Sequence, residues 1–114
     1  MEIGVRKMEY IGKIEFDKKL CEDKESIVIF GAGQGLKNIL NRLDEMNLQD
    51  RIVCVCDNSC EKQGQEVYGL KVYNPEDVFQ THRSASYIVY NQFCIEICNQ
   101  LIKEGINKIH LIRR

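Results

Sequence analysis

Three glycines alternate with other residues in the segment Gly31–Gly35, directly after the largely apolar run Ser26–Phe30. Glycine at position 31 can turn tightly out of a strand, and the missing side chain at position 33 lets an anion approach the backbone. Where a helix begins next, its first N–H groups lack partners and carry about half a positive charge. The segment predicts a phosphate-binding turn built from Gly31, Ala32, Gly33, Gln34 and Gly35. The alternative is a turn that only joins a strand to a helix.

The glycine pattern matches the dinucleotide-binding fingerprint G-x-G-x-x-G incompletely. Gly31 and Gly33 occupy the first two glycine positions, but Leu36 stands at the third and Gly35 is additional. The third glycine normally permits close packing of the helix on the strand. Leu36 therefore predicts either a shifted helix or a turn that holds a pyrophosphate in another way.

Polar residues follow two further predicted strands. Asp57 falls roughly 20 residues beyond the glycines, where an acidic side chain typically bonds ribose hydroxyls and disfavours a 2′-phosphate. Asn58 follows it, and Asn91 lies at the end of a later strand. We expect all three in the ligand site. The alternatives are that Asp57 and Asn58 bond their own backbone in a turn and that Asn91 only caps a helix.

The six cysteines and two histidines do not form a recognisable catalytic motif. Most cysteines are expected to be small buried apolar residues. An alternative is a zinc site, because equal spacing in two pairs suits tetrahedral thiolate ligation; its ligands would be Cys56, Cys60, Cys94 and Cys98. Neither H-E-x-x-H nor G-x-S-x-G occurs. Leu36 and Lys37 follow the glycines, in place of the G-K-[ST] of a P-loop. We therefore predict no catalytic residue and no metal.

Strand and helix patterns alternate along the chain. Strands are predicted at 26–30, 51–57, 70–73, 86–90 and 108–112, and helices at 34–47, 74–82 and 91–105. Asn74 is expected to cap its helix with Pro75 at the first helical position, and Gly105 is expected to end the last helix. This alternation predicts an α/β fold, namely a Rossmann-like doubly wound parallel sheet of about five strands in the order 3-2-1-4-5, with helices on both faces. Residues 1–25 are expected to be a lead-in segment and residues 26–114 a single nucleotide-binding domain.

Charge and hydropathy restrict the partners. The net charge is −1, from 16 basic and 17 acidic residues, so the basic excess of a nucleic-acid-binding protein is missing. No apolar run approaches the roughly 20 residues of a membrane helix, and the N-terminus lacks the apolar core of a signal peptide. We expect a cytoplasmic protein without membrane insertion.

Four segments of the chain resemble one known domain type: IVIFGAGQGLKNIL, VCVCDNSCEKQGQEVYGLKVYNPEDV, SYIVY and EICNQLIKEGINKI. The domain is found at the N-terminus of bacterial sugar-modifying proteins, such as nucleotide-sugar acetyltransferases, polysaccharide-biosynthesis epimerases and some glycosyltransferases. The resemblance implies a nucleotide-sugar or NAD(H) ligand, a role in glycan biosynthesis, and a homo-oligomer or a sugar-enzyme partner domain. It also implies that catalysis needs a second domain.

These observations predict a nucleotide-binding module that is not catalytic alone. The alternative is an interaction or scaffolding domain that keeps the fold without a ligand. An independent oxidoreductase is disfavoured, because no proton donor is expected near the glycine turn.

Overall fold

The computed structural model describes residues 18–22 and 24–112. The described helices are α1 (Lys18–Glu22), α2 (Leu36–Glu45), α3 (Pro75–Thr81) and α4 (Cys94–Lys103), with a 3₁₀ turn at Gln49–Arg51. The described strands are β1 (Ile27–Phe30), β2 (Ile52–Cys56), β3 (Glu66–Val67), β4 (Leu70–Tyr73), β5 (Ser86–Val89) and β6 (Ile109–Leu111). The chain is thus an α/β protein in which most helices follow a strand.

The six described strands form one sheet in the order β3-β4-β2-β1-β5-β6. All neighbours are parallel except β3 and β4, which form an antiparallel hairpin. This order differs from the predicted 3-2-1-4-5, because the prediction had five strands and missed β3. A strand of two residues has no readable alternation, and the polar, glycine-containing sequence up to Tyr68–Gly69 predicts a loop. Both turn residues have positive φ, 50° and 79°, as in the tight turn that suits a hairpin.

Side chains of β1 point alternately into two cores, one on each face of the sheet. Ile27 and Ile29 join the core that also contains Leu20 of α1 and buried residues of α2. Val28 and Phe30 join the core that contains buried residues of α3 and α4. Every residue of β1 is buried, which explains why its sequence is continuously apolar rather than alternating.

Helix ends follow local chemistry. Asn74 accepts a hydrogen bond from the Glu76 N–H at 3.0 Å and precedes Pro75, so the predicted cap of α3 is present. Helix α2 ends before Asn47, whose φ is 59°. Gly105, at φ 82°, ends α4 as predicted. Helices α2 and α4 begin two to three residues later than predicted, at Leu36 and Cys94.

The described part of the predicted lead-in packs on the sheet. Leu20 is fully buried, and Arg51 donates hydrogen bonds to the carbonyl oxygens of Leu20 and Glu25 at 2.6 and 2.8 Å. The remainder of the lead-in, residues 1–17 and 23, lies outside the described residues. The domain boundary at residue 26 stays a prediction. Within the described part of the chain, no helix has the length and apolarity to cross a bilayer, and the cytoplasmic location stays a prediction.

Candidate functional site

A cleft of about 680 Å³ opens at the carboxyl end of β1, between the loops that follow β2 and β5. In parallel α/β sheets, ligands bind at this end of the strands. The cleft contains every predicted site residue except Ala32. Its lining residues are Phe30, Gly31, Gly33, Gln34, Gly35, Asp57, Asn58, Ser59, Lys62, Tyr90, Asn91, Gln92, Phe93, Glu96 and Ile97.

Close contacts require glycine at positions 31 and 35. Gly31 has φ 124°, and a Cβ there would lie 2.7 Å from Nδ2 of Asn91. A Cβ on Gly35 would lie 2.7 Å from the Tyr90 ring and 3.0 Å from the Tyr90 carbonyl oxygen. Gly35 therefore permits the close packing that the third fingerprint glycine normally permits. Leu36 is free to be a buried core residue of α2.

Several backbone N–H groups of the glycine turn are without an acceptor. Leu36 donates to the Gly33 carbonyl at 3.1 Å, and Ile39 donates to the Gly35 carbonyl at 3.2 Å. The N–H groups of Gly33, Gln34 and Gly35 meet no acceptor among residues 18–22 and 24–112. Because Gly33 and Gln34 are exposed in the cleft, an anion can reach this part of the backbone.

Asp57 holds two backbone segments. Its Oδ2 accepts the Ala32 N–H at 2.8 Å, and its Oδ1 accepts the Ser59 N–H at 2.8 Å. The bond to Ser59 is the local turn that the sequence left open as an alternative. The bond to Ala32 fixes the glycine turn to the end of β2. Each oxygen retains a second lone pair, so the ribose contact stays a prediction.

The predicted asparagines also bond the protein. Asn58 and Gln100 exchange two amide hydrogen bonds, at 2.9 and 3.1 Å. Asn91 donates to the Phe30 carbonyl at 3.4 Å and accepts the Phe93 N–H at 2.8 Å. Helix α4 begins at Cys94 with Phe93 at the cap position. Asn91 thus forms a turn before the helix and is not its N-cap.

Lys62 is a cleft residue that the sequence analysis missed. A Cβ on Gly33 would lie 3.4 Å from its Nζ, which places the ammonium group over the glycine turn. In the described part of the chain, Lys62 forms no ion pair. The loop turns back on itself through the Lys62 N–H, which donates to the Ser59 carbonyl at 3.1 Å. Only the position of Lys62 a few residues beyond Asp57 could have pointed to it.

Most described cysteines contribute to the core. Cys54 and Cys56 are buried in the core beneath α3 and α4, and Cys94 and Cys98 pack against it, whereas Cys21 and Cys60 are exposed. Burial raises the pKa of Cys54 to about 11 and the pKa of Cys56 well above its usual range. The alternative zinc site is not assembled: among the described residues, no three His, Cys, Asp or Glu side chains form a group suited to a metal ion.

A model of the family described as C2185-like, N-terminal, matches residues 23–112. The chain belongs to this family. The resemblance to the N-terminal domains of sugar-modifying proteins was therefore wrong. The segments that carried it contain strand, glycine-turn and helix-cap signals, which belong to the fold and do not specify a ligand. No curated protein matches the sequence.

Proposed function

We propose that the cleft binds a nucleotide through its phosphates. The observation that carries the proposal is that the glycine-turn N–H groups and the Lys62 ammonium, which have no partner among the described residues, lie at one cleft. N–H groups at the start of α2 supply donors and a favourable dipole, and Lys62 supplies a full charge. The fold is then a Rossmann-like doubly wound sheet with its ligand at the end of β1.

The ligand class is a nucleoside diphosphate, the part that NAD(H) and nucleotide sugars share. The cleft volume of about 680 Å³ is within the range usual for small-molecule sites. In this proposal phosphate oxygens contact Gly33, Gln34 and Lys62, while Asp57 fixes the turn and offers its remaining lone pairs to the ribose. The association with glycan biosynthesis depended on the overturned resemblance and is not part of the proposal.

Binding can be measured by calorimetry with ADP and NAD⁺ on the wild type, Lys62→Ala and Lys103→Ala. Lys103 is an exposed lysine of α4 outside the cleft, so it is a matched control for loss of one charge. We expect Lys62→Ala to raise the Kd about tenfold, the size of one charged hydrogen bond, and Lys103→Ala to leave it unchanged. Absence of binding at millimolar nucleotide, or equal losses in both variants, would contradict the proposal.

A second candidate is an interaction domain without a ligand. The hydrogen bonds of Asp57, Asn58 and Asn91 favour it, because these three predicted ligand-binding side chains already bond the protein. Ile95 and Ile102 of α4, seven residues apart on one helix face, are 68% and 64% exposed. This candidate predicts a homo-oligomer or a complex with a partner domain. Sedimentation of the wild type and Ile95→Glu, with and without ADP, tests it: nucleotide-independent association that Ile95→Glu abolishes is expected.

A further inference from the structure

Phe93 presents an aromatic ring at the edge of the cleft. The residue is 57% exposed, lines the cleft and lies directly before α4. Its N–H is held by Oδ1 of Asn91 at 2.8 Å. A hydrogen bond of the backbone, rather than burial of the side chain, therefore fixes its position.

The other described phenylalanines behave differently. Phe30 and Phe79 are buried, with ring centroids 6.5 Å apart, and Phe79 lies 6.0 Å from Tyr87. Phe93 makes no ring contact with any described residue. A ring that does not stabilise the core, at the edge of a cleft, has an available face for another planar group.

Glu96 lies one helical turn after Phe93 and also lines the cleft. At this position a glutamate commonly bonds the N–H of the cap residue. The Phe93 N–H is already bonded by Asn91, and Glu96 has no partner among residues 18–22 and 24–112. Its carboxylate can therefore accept a hydrogen bond from an amino group of a ligand.

We propose that Phe93 stacks on the nucleobase of the bound nucleotide and that Glu96 selects a base with an exocyclic amino group. The inference rests on the proposed function, since the phosphates at the glycine turn and Lys62 orient the ligand along the cleft. A charged end and an aromatic end then recognise opposite ends of the nucleotide. The preferred ligand is an adenosine rather than a uridine diphosphate, because uracil carries no amino group.

The test compares ADP, UDP and pyrophosphate by NMR titration of backbone amides in the wild type, Phe93→Ala, Phe93→Tyr and Ile95→Ala. Ile95 is the matched control, because it is an exposed apolar residue in the first turn of α4, two positions after Phe93 and outside the cleft lining. We expect Phe93→Ala to weaken ADP about tenfold and pyrophosphate less than about twofold. Phe93→Tyr and Ile95→Ala should bind ADP like the wild type. Glu96→Gln should reduce the preference for ADP over UDP.

The outcomes separate this inference from the proposed function. If Phe93→Ala weakens pyrophosphate as much as ADP, or leaves ADP binding unchanged, the base does not lie on Phe93. A wild type that binds pyrophosphate but binds ADP no more tightly likewise overturns the stacking inference alone. A wild type that binds none of the three probes overturns the proposed function and this inference with it.

Discussion

The turns after β1 and β5 lie at the carboxyl ends of two central strands and lead to helices of equal length. Their backbone groups nevertheless form different hydrogen bonds. The turn after β1 consists largely of glycine, and several of its N–H groups meet no acceptor within the described part of the chain. The turn after β5 uses Asn91 to bond the Phe93 N–H and the end of β1. The first turn therefore has its donors available to a ligand, whereas the second is internally bonded and presents side chains. For the proposed nucleotide, this difference would give the two ends of the ligand different contacts.

The largest expected effect is Gly31→Ala. Its Cβ would meet Asn91 at 2.7 Å, and its φ of 124° is strained for alanine. We expect the free energy of unfolding to fall by about 3 kcal/mol, measured by urea denaturation. Gly64→Ala is the control, because Gly64 also has positive φ, 86°, but a Cβ there would meet no atom of the described residues within 4 Å. It should lose about 1 kcal/mol. Equal losses would show that steric contact with the second turn is unimportant.

An intermediate effect is expected from Asn91→Ala. The variant loses the bonds to Phe30 and Phe93 and should be about 1 kcal/mol less stable by urea denaturation. Asn58→Ala removes an exposed amide pair and should cost less than about 0.5 kcal/mol. In the double variant Gly31→Ala with Asn91→Ala, the shortened side chain at position 91 relieves the clash. The double variant should therefore lose less stability than the two single variants lose in total. Strict additivity would mean that the turns do not interact through this contact.

The smallest expected effect on stability is that of Gly33→Ala. Gly33 lies outside the positive-φ region, and among the described residues its Cβ would meet only Lys62 Nζ, at 3.4 Å. We expect stability within about 0.5 kcal/mol of the wild type, because the lower entropy of the unfolded chain offsets the contact. Binding of pyrophosphate, followed by NMR titration, should nevertheless weaken. Unchanged pyrophosphate binding would show that the glycine turn does not contact the phosphates.

Sequence patterns predicted the elements that carry a clear local signal. Ile27–Phe30 is buried throughout, so its apolar run indicated a central strand, and Asn74 with Pro75 indicated a helix start. The sequence did not reveal β3, because two residues carry no period and the turn at Tyr68–Gly69 depends on backbone angles. Helix α2 was predicted two residues too long at its start, since Gln34 and Gly35 form a turn before the helix.

The candidate site was predictable only where backbone geometry decides it. Gly31 and Gly33 marked the turn, but the contact of Gly35 with Tyr90 joins segments distant in sequence. Lys62 was missed for the same reason, because its loop reaches Gly33 only in the folded chain. The spacing of Asp57 from the glycines does not by itself assign its role. An acidic residue at this position is typical of ribose binding, but here the carboxylate accepts hydrogen bonds from the Ala32 and Ser59 N–H groups.

The docking of α1 has a practical consequence for isolating the domain. The family match begins at residue 23, but Leu20 is fully buried and its carbonyl accepts a bond from Arg51. Expressing only the matched region would leave a cavity in place of Leu20 and would remove an acceptor from the Arg51 guanidinium, whose Nη2 is buried and has no hydrogen-bond partner among the described residues. The shortest stably folded fragment should therefore include α1.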